Sequence, residues 1–125
     1  MSARILVVDD DEKSRRLACD VLEHQGYSVT RAASGEEALV LARSQVFDLA
    51  LLDIQLPGLS GVETFKALRA LPGWAGVPVI AMTASVMPDE RSSLMQEGFD
   101  GFSPKPLAIK ELLRLVADVL TRAEG

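Results

Sequence analysis

Three carboxylates, those of Asp9, Asp10 and Asp53, stand where they could share one reaction site. Asp53 ends the apolar run 48–53, and proline and glycine residues follow it. A short apolar run that stops at turn residues is typical of a parallel strand buried on both faces. The segment Arg4–Asp9 is a second run of this kind. Both runs therefore predict acidic residues at the carboxyl edge of a sheet, where open α/β sheets bind their ligands.

Carboxylates that lie this close together repel one another unless a cation lies between them. Oxygen ligands suit a hard divalent cation. We therefore expect a Mg²⁺ site, with Mn²⁺ as the alternative ion, and one carboxylate that remains free to react. Asp11, the next acid along the chain, has two open interpretations, as a further member of this site or as the N-cap of the first helix.

The elements that would position these acids alternate along the chain as five strand and helix units, without a linker or a repeat. The predicted strands are Arg4–Asp9, Tyr27–Ala32, Asp48–Asp53, Val77–Met82 and Asp100–Ser103. The first helix is predicted to stop at Gly26, the third to cover Val62–Leu71, and the fourth to run between Pro88 and Gly98. Ser34 and Glu37 predict a capping box at the start of the second helix.

Apolar residues at helical spacing predict which helix faces are buried. The predicted inward residues are Leu17, Ala18, Val21 and Leu22 in the first helix, Ala38, Leu41 and Ala42 in the second, and Ile109, Leu112, Leu113, Val116 and Leu120 in the last. Trp74 follows a Pro-Gly pair and is predicted to lie in a surface loop.

Strands that alternate with helices predict a parallel sheet with right-handed crossovers and helices on both faces. For five units we expect the flavodoxin-like, doubly wound (βα)5 fold with strand order 2-1-3-4-5. This order places strands one and three side by side, so Asp9, Asp10 and Asp53 would meet in one crevice. Thr83 and Lys105 follow strands four and five and would reach the same edge.

The motifs stand in a characteristic order along the chain. They are Asp9-Asp10, the strand that ends in Asp53, Met82-Thr83-Ala84 and Lys105-Pro106. In these motifs the chain resembles a CheY-like response-regulator receiver domain of two-component signalling. The resemblance covers essentially all of residues 1–125 as a single domain. The chain is also similar to single-domain regulators and to the receiver domains of hybrid kinases.

The resemblance implies that Asp53 takes a phosphoryl group from a histidine of a partner kinase or histidine phosphotransfer protein. Asp10 and Asp53 would bind Mg²⁺ directly, together with the backbone carbonyl of Gln55, and Asp9 would act through a water molecule. Asp53 would be the nucleophile that forms a mixed anhydride. Positioning and charge neutralisation are the main requirements of phosphoryl transfer.

The resemblance also implies a conformational switch. Lys105 would pair first with Asp53 and then with a phosphoryl oxygen, the Thr83 hydroxyl would sense the phosphoryl group, and Phe102 would turn inward. The Lys105-Pro106 bond is expected to be cis. The signal would leave through helix four, strand five and helix five to a protein target, and the same face could form a homodimer. Met87, Arg91 and Met95 are expected on this face, where methionines suit an adaptable contact.

Composition limits the other classes of function. The chain has 125 residues, 48% of them hydrophobic, and a net charge of -5 with no basic cluster, which argues against nucleic-acid binding. Cys19 is the single cysteine, so an internal disulfide is excluded. No signal segment and no long apolar stretch is present, so we expect a cytoplasmic protein without membrane contact. Met1 and the end soon after the last helix favour a free-standing protein.

Two alternatives from other classes remain open. A haloacid-dehalogenase-type hydrolase also uses an acid at a strand end, but it needs a second acid two positions later, where this chain has Gln55. The other alternative is a pseudo-receiver that keeps the fold as an interaction module and is not phosphorylated. The residues for phosphorylation are present, which argues against the pseudo-receiver. Without the second acid, we expect no enzyme activity beyond self-phosphorylation and autodephosphorylation.

Overall fold

A computed structural model of the protein describes residues 3–84 and 88–124, and five strands alternate with five helices in it. In chain order the elements are β1 (Arg4–Val8), α1 (Glu12–His24), β2 (Ser28–Ala32), α2 (Gly35–Ser44), β3 (Leu49–Asp53), α3 (Gly61–Arg69), β4 (Val79–Thr83), α4 (Pro88–Glu97), β5 (Gly101–Pro104) and α5 (Ile109–Glu124). The predicted alternation is confirmed, and most element ends differ from the predicted ones by one or two residues.

The strands form one parallel sheet in the order β2-β1-β3-β4-β5, which confirms the predicted flavodoxin-like fold. Val8 of β1 lies opposite Leu52 of β3. The next residues along these two strands are Asp9 and Asp53, so both acids reach the same edge of the sheet. Asp9 and Asp53 are 44 positions apart along the chain, and the register of β1 and β3 brings them together.

The core has two parts, one on each face of the sheet. Leu6 and Val8 pack into one part with residues of α2, α3 and α4. Ile5 and Val7 pack into the other with residues of α1 and α5. Alternate residues of a strand point to opposite faces. Both faces are covered, so the sequences of β1, β3 and β4 read as nearly continuous apolar runs.

Two residues that were predicted to face the core, Leu17 and Ile109, are exposed. Leu17 is 38% exposed, because α1 contacts the sheet through Ala18, Cys19 and Leu22. Leu17 therefore lies at the edge of the stripe. Ile109 is 42% exposed since it is the first residue of α5 and lies before the turns that pack on the sheet.

The other residues that were predicted to face inward are either buried or half-buried. Ala38, Ala42, Leu112 and Val116 are buried as predicted, and the remaining ones are half-buried: Val21, Leu41, Leu113 and Leu120. Val119, which was not predicted, is buried in α5.

The prediction that Trp74 lies in a surface loop is wrong. The side chain is 3% exposed, and its ring centroid lies 6.0 Å from that of Phe47. The indole N–H points to the carbonyl of Ala42 at 3.4 Å. The loop between α3 and β4 thus folds back against the end of α2 and the segment before β3.

The complete capping box lies at α3 and not at α2. Ser60 Oγ accepts a hydrogen bond from the Glu63 N–H, and the Glu63 carboxylate accepts one from the Ser60 N–H, each at 3.2 Å. At α2, Ser34 Oγ accepts from the Glu37 N–H at 3.1 Å, and within the described residues no reciprocal bond forms. The box fixes the start of the helix that follows the Asp53 loop.

Candidate functional site

The structure brings the three predicted acids together at the carboxyl edge of the sheet. One carboxylate oxygen each from Asp9, Asp10 and Asp53 lies within 4.8 Å of the other two. Asp9 and Asp53 are buried, and Asp10 is exposed. The cluster is therefore open to solvent on one side and enclosed by the sheet on the other.

Asp9 is the most enclosed member of the cluster. It is 0% exposed, and its Oδ1 accepts a hydrogen bond from the Asp11 N–H at 2.9 Å. Its Oδ2 lies 3.0 Å from Lys105 Nζ, in an ion pair whose angles do not make a hydrogen bond. Burial raises the pKa of Asp9, although the Asp11 N–H and the Lys105 ammonium oppose the rise. The charge at Asp9 Oδ2 is thus balanced by the Lys105 ammonium.

Lys105 reaches the cluster from the end of β5. Its Nζ donates a hydrogen bond to Asp53 Oδ2 at 2.7 Å. Burial lowers the pKa of Lys105, but the hydrogen bond to Asp53 and the negative charges of Asp53 and Asp9 outweigh it, so the pKa is raised overall. The ammonium is therefore charged at neutral pH. The Lys105 N–H donates to the Thr83 carbonyl at 3.0 Å, and the following Lys105-Pro106 bond is cis, as expected.

Asp53 is held at both of its oxygens. Oδ1 accepts a hydrogen bond from the Gln55 N–H at 2.9 Å, and Oδ2 pairs with Lys105. The Gln55 side chain is exposed, so its backbone is the part that faces the acid. The structure thereby brings Asp9, Asp10, Asp53, Gln55 and Lys105 to one place.

Gly61, which the sequence marks as a turn residue, allows the loop after Asp53 to close. A Cβ at this position would lie 2.4 Å from the Asp53 carbonyl oxygen and 2.5 Å from Ile54 Cα. The Gly61 N–H donates to the Ile54 carbonyl at 3.1 Å. The start of α3 therefore packs directly on the backbone of Asp53 and Ile54.

Asp11 caps α1 and is not a member of the acid cluster. Its Oδ2 accepts a hydrogen bond from the Ser14 N–H at 3.0 Å, and this bond lowers the pKa of Asp11. Of the two open interpretations, the structure favours the N-cap. One residue that sequence reasoning missed is Arg15, whose Nη1 donates to the Asp9 carbonyl at 2.8 Å. The partner of Arg15 is a backbone carbonyl, so the sequence carries no specific signal for this contact.

Thr83 and Phe102 lie on neighbouring strands beside the cluster. Thr83 is the last residue of β4 and is buried, and it follows Met82, which lies opposite Asp53. Phe102 lies opposite Ala81 and is half-buried against the core. Its side chain is thus placed between the core and the surface in this structure.

Two of the three residues expected around helix four on the output face are described, and both are exposed. Arg91 is exposed, Met95 is 54% exposed, and Met87 lies outside the described residues.

Within the described ranges, no helix combines the length and the apolar character that crossing a bilayer requires.

The donor set fits a hard divalent cation. Three carboxylates offer oxygen ligands within 4.8 Å of one another. Lys105 supplies one positive charge against these three carboxylates, so a divalent cation would balance the remaining negative charge. The residues present are therefore suited to hold Mg²⁺.

Comparison with solved structures supports the fold assignment. Chemotaxis protein CheY4 of Vibrio cholerae superimposes with a TM-score of 0.91 and 30% identity over 95% of this chain and 99% of that one. The receiver domain of sensor histidine kinase PA1611 from Pseudomonas aeruginosa PAO1 gives a TM-score of 0.88 at 30% identity, over 97% and 99% of the two chains. That structure has a magnesium ion coordinated in its active site cleft.

Comparison of sequences identifies the family. The polar-differentiation response regulator DivK of Brucella ovis is 36% identical over 120 residues, which are 96% of this chain and 98% of DivK. The family model of the response regulator receiver domain matches residues 5–117. The chain therefore belongs to the response regulator receiver domain family of two-component signalling.

Proposed function

We propose that this domain accepts a phosphoryl group on Asp53 from a histidine kinase or a histidine phosphotransfer protein. The observation that carries the proposal is the pairing of the buried Asp53 carboxylate with Lys105, at 2.7 Å, beside the carboxylates of Asp9 and Asp10. A buried nucleophile held by a cation and flanked by further acids suits phosphoryl transfer, where positioning and charge neutralisation dominate.

The reaction follows from these contacts. A carboxylate oxygen of Asp53 forms a bond to phosphorus while the bond from phosphorus to the donor's histidine nitrogen breaks, and the imidazole takes the electron pair. Lys105 Nζ, which already contacts Asp53 Oδ2, then neutralises a phosphoryl oxygen. The Thr83 hydroxyl would donate a hydrogen bond to another phosphoryl oxygen.

Asp10 and Asp53 would hold Mg²⁺, together with the carbonyl of Gln55, and Asp9 would act through a water. The acid cluster supports this assignment, since Lys105 supplies one positive charge against three carboxylates. The magnesium ion in the PA1611 receiver domain adds support from a neighbour. When bound, the ion would neutralise charge on the transferred group.

The switch would connect Thr83 to Phe102. Movement of the Thr83 hydroxyl toward the phosphoryl group frees space beside β5, and Phe102 turns inward from its half-buried position. Phosphorylation needs only to shift an equilibrium that already exists. The changed surface of α4, β5 and α5 would bind a protein target or a second copy of the domain, as an isologous contact.

We propose no turnover of external phosphate esters. A hydrolase of the haloacid-dehalogenase type needs a general acid at the position of Gln55, and this side chain is an exposed amide. A chromogenic phosphate ester is expected to remain uncleaved over hours. Turnover that Asp53→Asn abolishes would favour the hydrolase instead.

The direct test is incubation with acetyl phosphate and Mg²⁺, followed by intact mass measurement. The wild type is expected to gain one phosphoryl group, and hydroxylamine should remove it because an acyl phosphate is labile to that nucleophile. Asp53→Asn should gain none. Asp48→Asn is the matched control, since Asp48 precedes the same strand at its opposite end and accepts from the Arg4 N–H. A wild type without the added mass would favour the pseudo-receiver.

The output surface can be tested with beryllofluoride, which mimics the phosphoryl group on Asp53. Amide exchange should change in α4 and β5, and sedimentation should report any dimer. Thr83→Ala should reduce these changes while the mass gain with acetyl phosphate persists. Changes confined to α1 and α2 would show that the proposed output surface is wrong.

A further inference from the structure

The guanidinium of Arg15 holds the peptide that leads from Asp9 to Asp10. Nη1 donates a hydrogen bond to the Asp9 carbonyl at 2.8 Å. The Asp9 N–H still donates to the Ala32 carbonyl at 3.1 Å, but β2 ends at that residue. The donor that reaches the Asp9 carbonyl therefore comes from α1 and not from the sheet.

Asp10 depends on its backbone for its orientation. Its side chain is exposed and, within the described part of the chain, makes no hydrogen bond or ion pair with another residue. One of its oxygens nevertheless lies within 4.8 Å of oxygens of Asp9 and Asp53. A carboxylate without a side-chain partner is placed by the peptide that carries it, and Arg15 binds that peptide.

Arg15 contacts the cluster through a hydrogen bond to a backbone carbonyl and not through an ion pair. Lys105 forms the ion pairs with Asp9 and Asp53, and Arg15 forms none with a carboxylate among the described residues. The Arg15 side chain is half-buried, so its hydrogen bond to the Asp9 carbonyl is partly shielded from water. Residues that orient metal ligands in this way commonly change metal affinity when they are replaced.

We propose that Arg15 is a positioning residue for the cation site: its hydrogen bond to the Asp9 carbonyl presents the Asp10 carboxylate beside Asp53. This inference rests on the proposed function, in which the acids bind Mg²⁺. Arg15 does not touch the ion or the phosphoryl group in this scheme. It acts through the peptide between Asp9 and Asp10.

Calorimetric titration of the full chain with Mg²⁺ alone tests the inference. Arg15→Met keeps the length of the side chain and removes the donor, and it should weaken Mg²⁺ binding about tenfold, as outer-shell changes commonly do. Arg16→Met is the matched control, because Arg16 is the next residue and its exposed side chain pairs with Glu12 at 3.6 Å. The control should bind Mg²⁺ within about twofold of wild type. Arg15→Lys restores a donor and should recover part of the affinity.

A second readout needs no metal. The amide nitrogen of Asp10 belongs to the peptide that Arg15 polarises, so its nuclear magnetic resonance signal should move in Arg15→Met and stay in place in Arg16→Met. If Arg15→Met does not fold, Arg15→Lys and Arg15→Gln provide the same comparison. Lower thermal stability with unchanged Mg²⁺ affinity would assign Arg15 a purely structural role and overturn the inference alone. A wild type that binds no Mg²⁺ would overturn the metal part of the proposed function together with this inference.

Discussion

Lys105 Nζ lies 2.7 Å from Asp53 Oδ2 and 3.0 Å from Asp9 Oδ2, so one ammonium is shared by two buried carboxylates. Removing the ammonium should leave both carboxylates unpaired. We predict that Lys105→Met lowers the free energy of unfolding by about 3 kcal/mol at neutral pH without Mg²⁺, since a broken buried pair leaves uncompensated charge. Urea unfolding measures the change.

The control for this change is Lys110→Met, which removes an exposed ammonium from α5. It should alter stability by less than about 0.5 kcal/mol. Saturating Mg²⁺ should reduce the loss in Lys105→Met, because a cation between the acids replaces part of the missing charge. Equal losses in the two variants would contradict the shared ion pair.

The repulsion within the acid cluster predicts metal-linked stability. Millimolar Mg²⁺ should raise the melting temperature of the wild type, because a ligand that binds the folded state stabilises it. Asp10→Asn removes one of three carboxylates that lie within 4.8 Å of one another. It should therefore stabilise the metal-free protein by roughly 1 kcal/mol and abolish most of the response to Mg²⁺. Melting curves that do not respond to Mg²⁺ at low salt would count against the site.

The close packing of Gly61 predicts a strong effect of one methyl group. Gly61→Ala would place a carbon 2.4 Å from the Asp53 carbonyl oxygen, where the neighbouring atoms belong to the backbone. We predict a loss of about 1–3 kcal/mol in stability, as overpacking usually costs, together with slower phosphorylation by acetyl phosphate. Gly76→Ala is the control, since a Cβ there meets nothing within 4 Å. A Gly61→Ala protein as stable as this control would contradict the geometry.

Cys19 offers a prediction about pH. Burial raises the pKa of its thiol to about 11 from 9.0, so the folded state favours the neutral thiol. The preference of the folded state for the neutral thiol contributes fully to the free energy of unfolding below pH 9. This contribution is lost as the pH rises toward 11. At pH 8 the folded protein should hold about a hundredfold less thiolate than the unfolded chain, and iodoacetamide should alkylate it at least that much more slowly. Rapid alkylation without denaturant would contradict this assignment.

The sheet order and the gathering of the acids could be predicted because they rest on strong, local signals. The apolar runs of β1, β3 and β4 can be recognised from the sequence alone, and they lead to Asp9, Asp53 and Thr83. Parallel topology then fixes which ends meet. Asp53 and Lys105 are 52 positions apart along the chain and still reach one another through this rule.

Other features depend on contacts that no local pattern contains. Trp74 is buried because Phe47 and the end of α2 happen to lie beside its loop, and the Pro-Gly pair that precedes it gives no sign of them. Leu17 fits the apolar period of α1 but lies at the margin of the face that meets the sheet. Arg15 was missed because its partner is a backbone carbonyl, which every residue carries.

Helix α4 is attached to the core through Leu94, and its other residues are exposed. Substitutions at exposed positions usually change stability by less than about 0.5 kcal/mol. Those positions of α4 can therefore diverge in sequence while the sheet and the acid cluster keep their structure. Duplicated copies of such a gene can therefore acquire different α4 surfaces that bind different partners, while the fold remains stable.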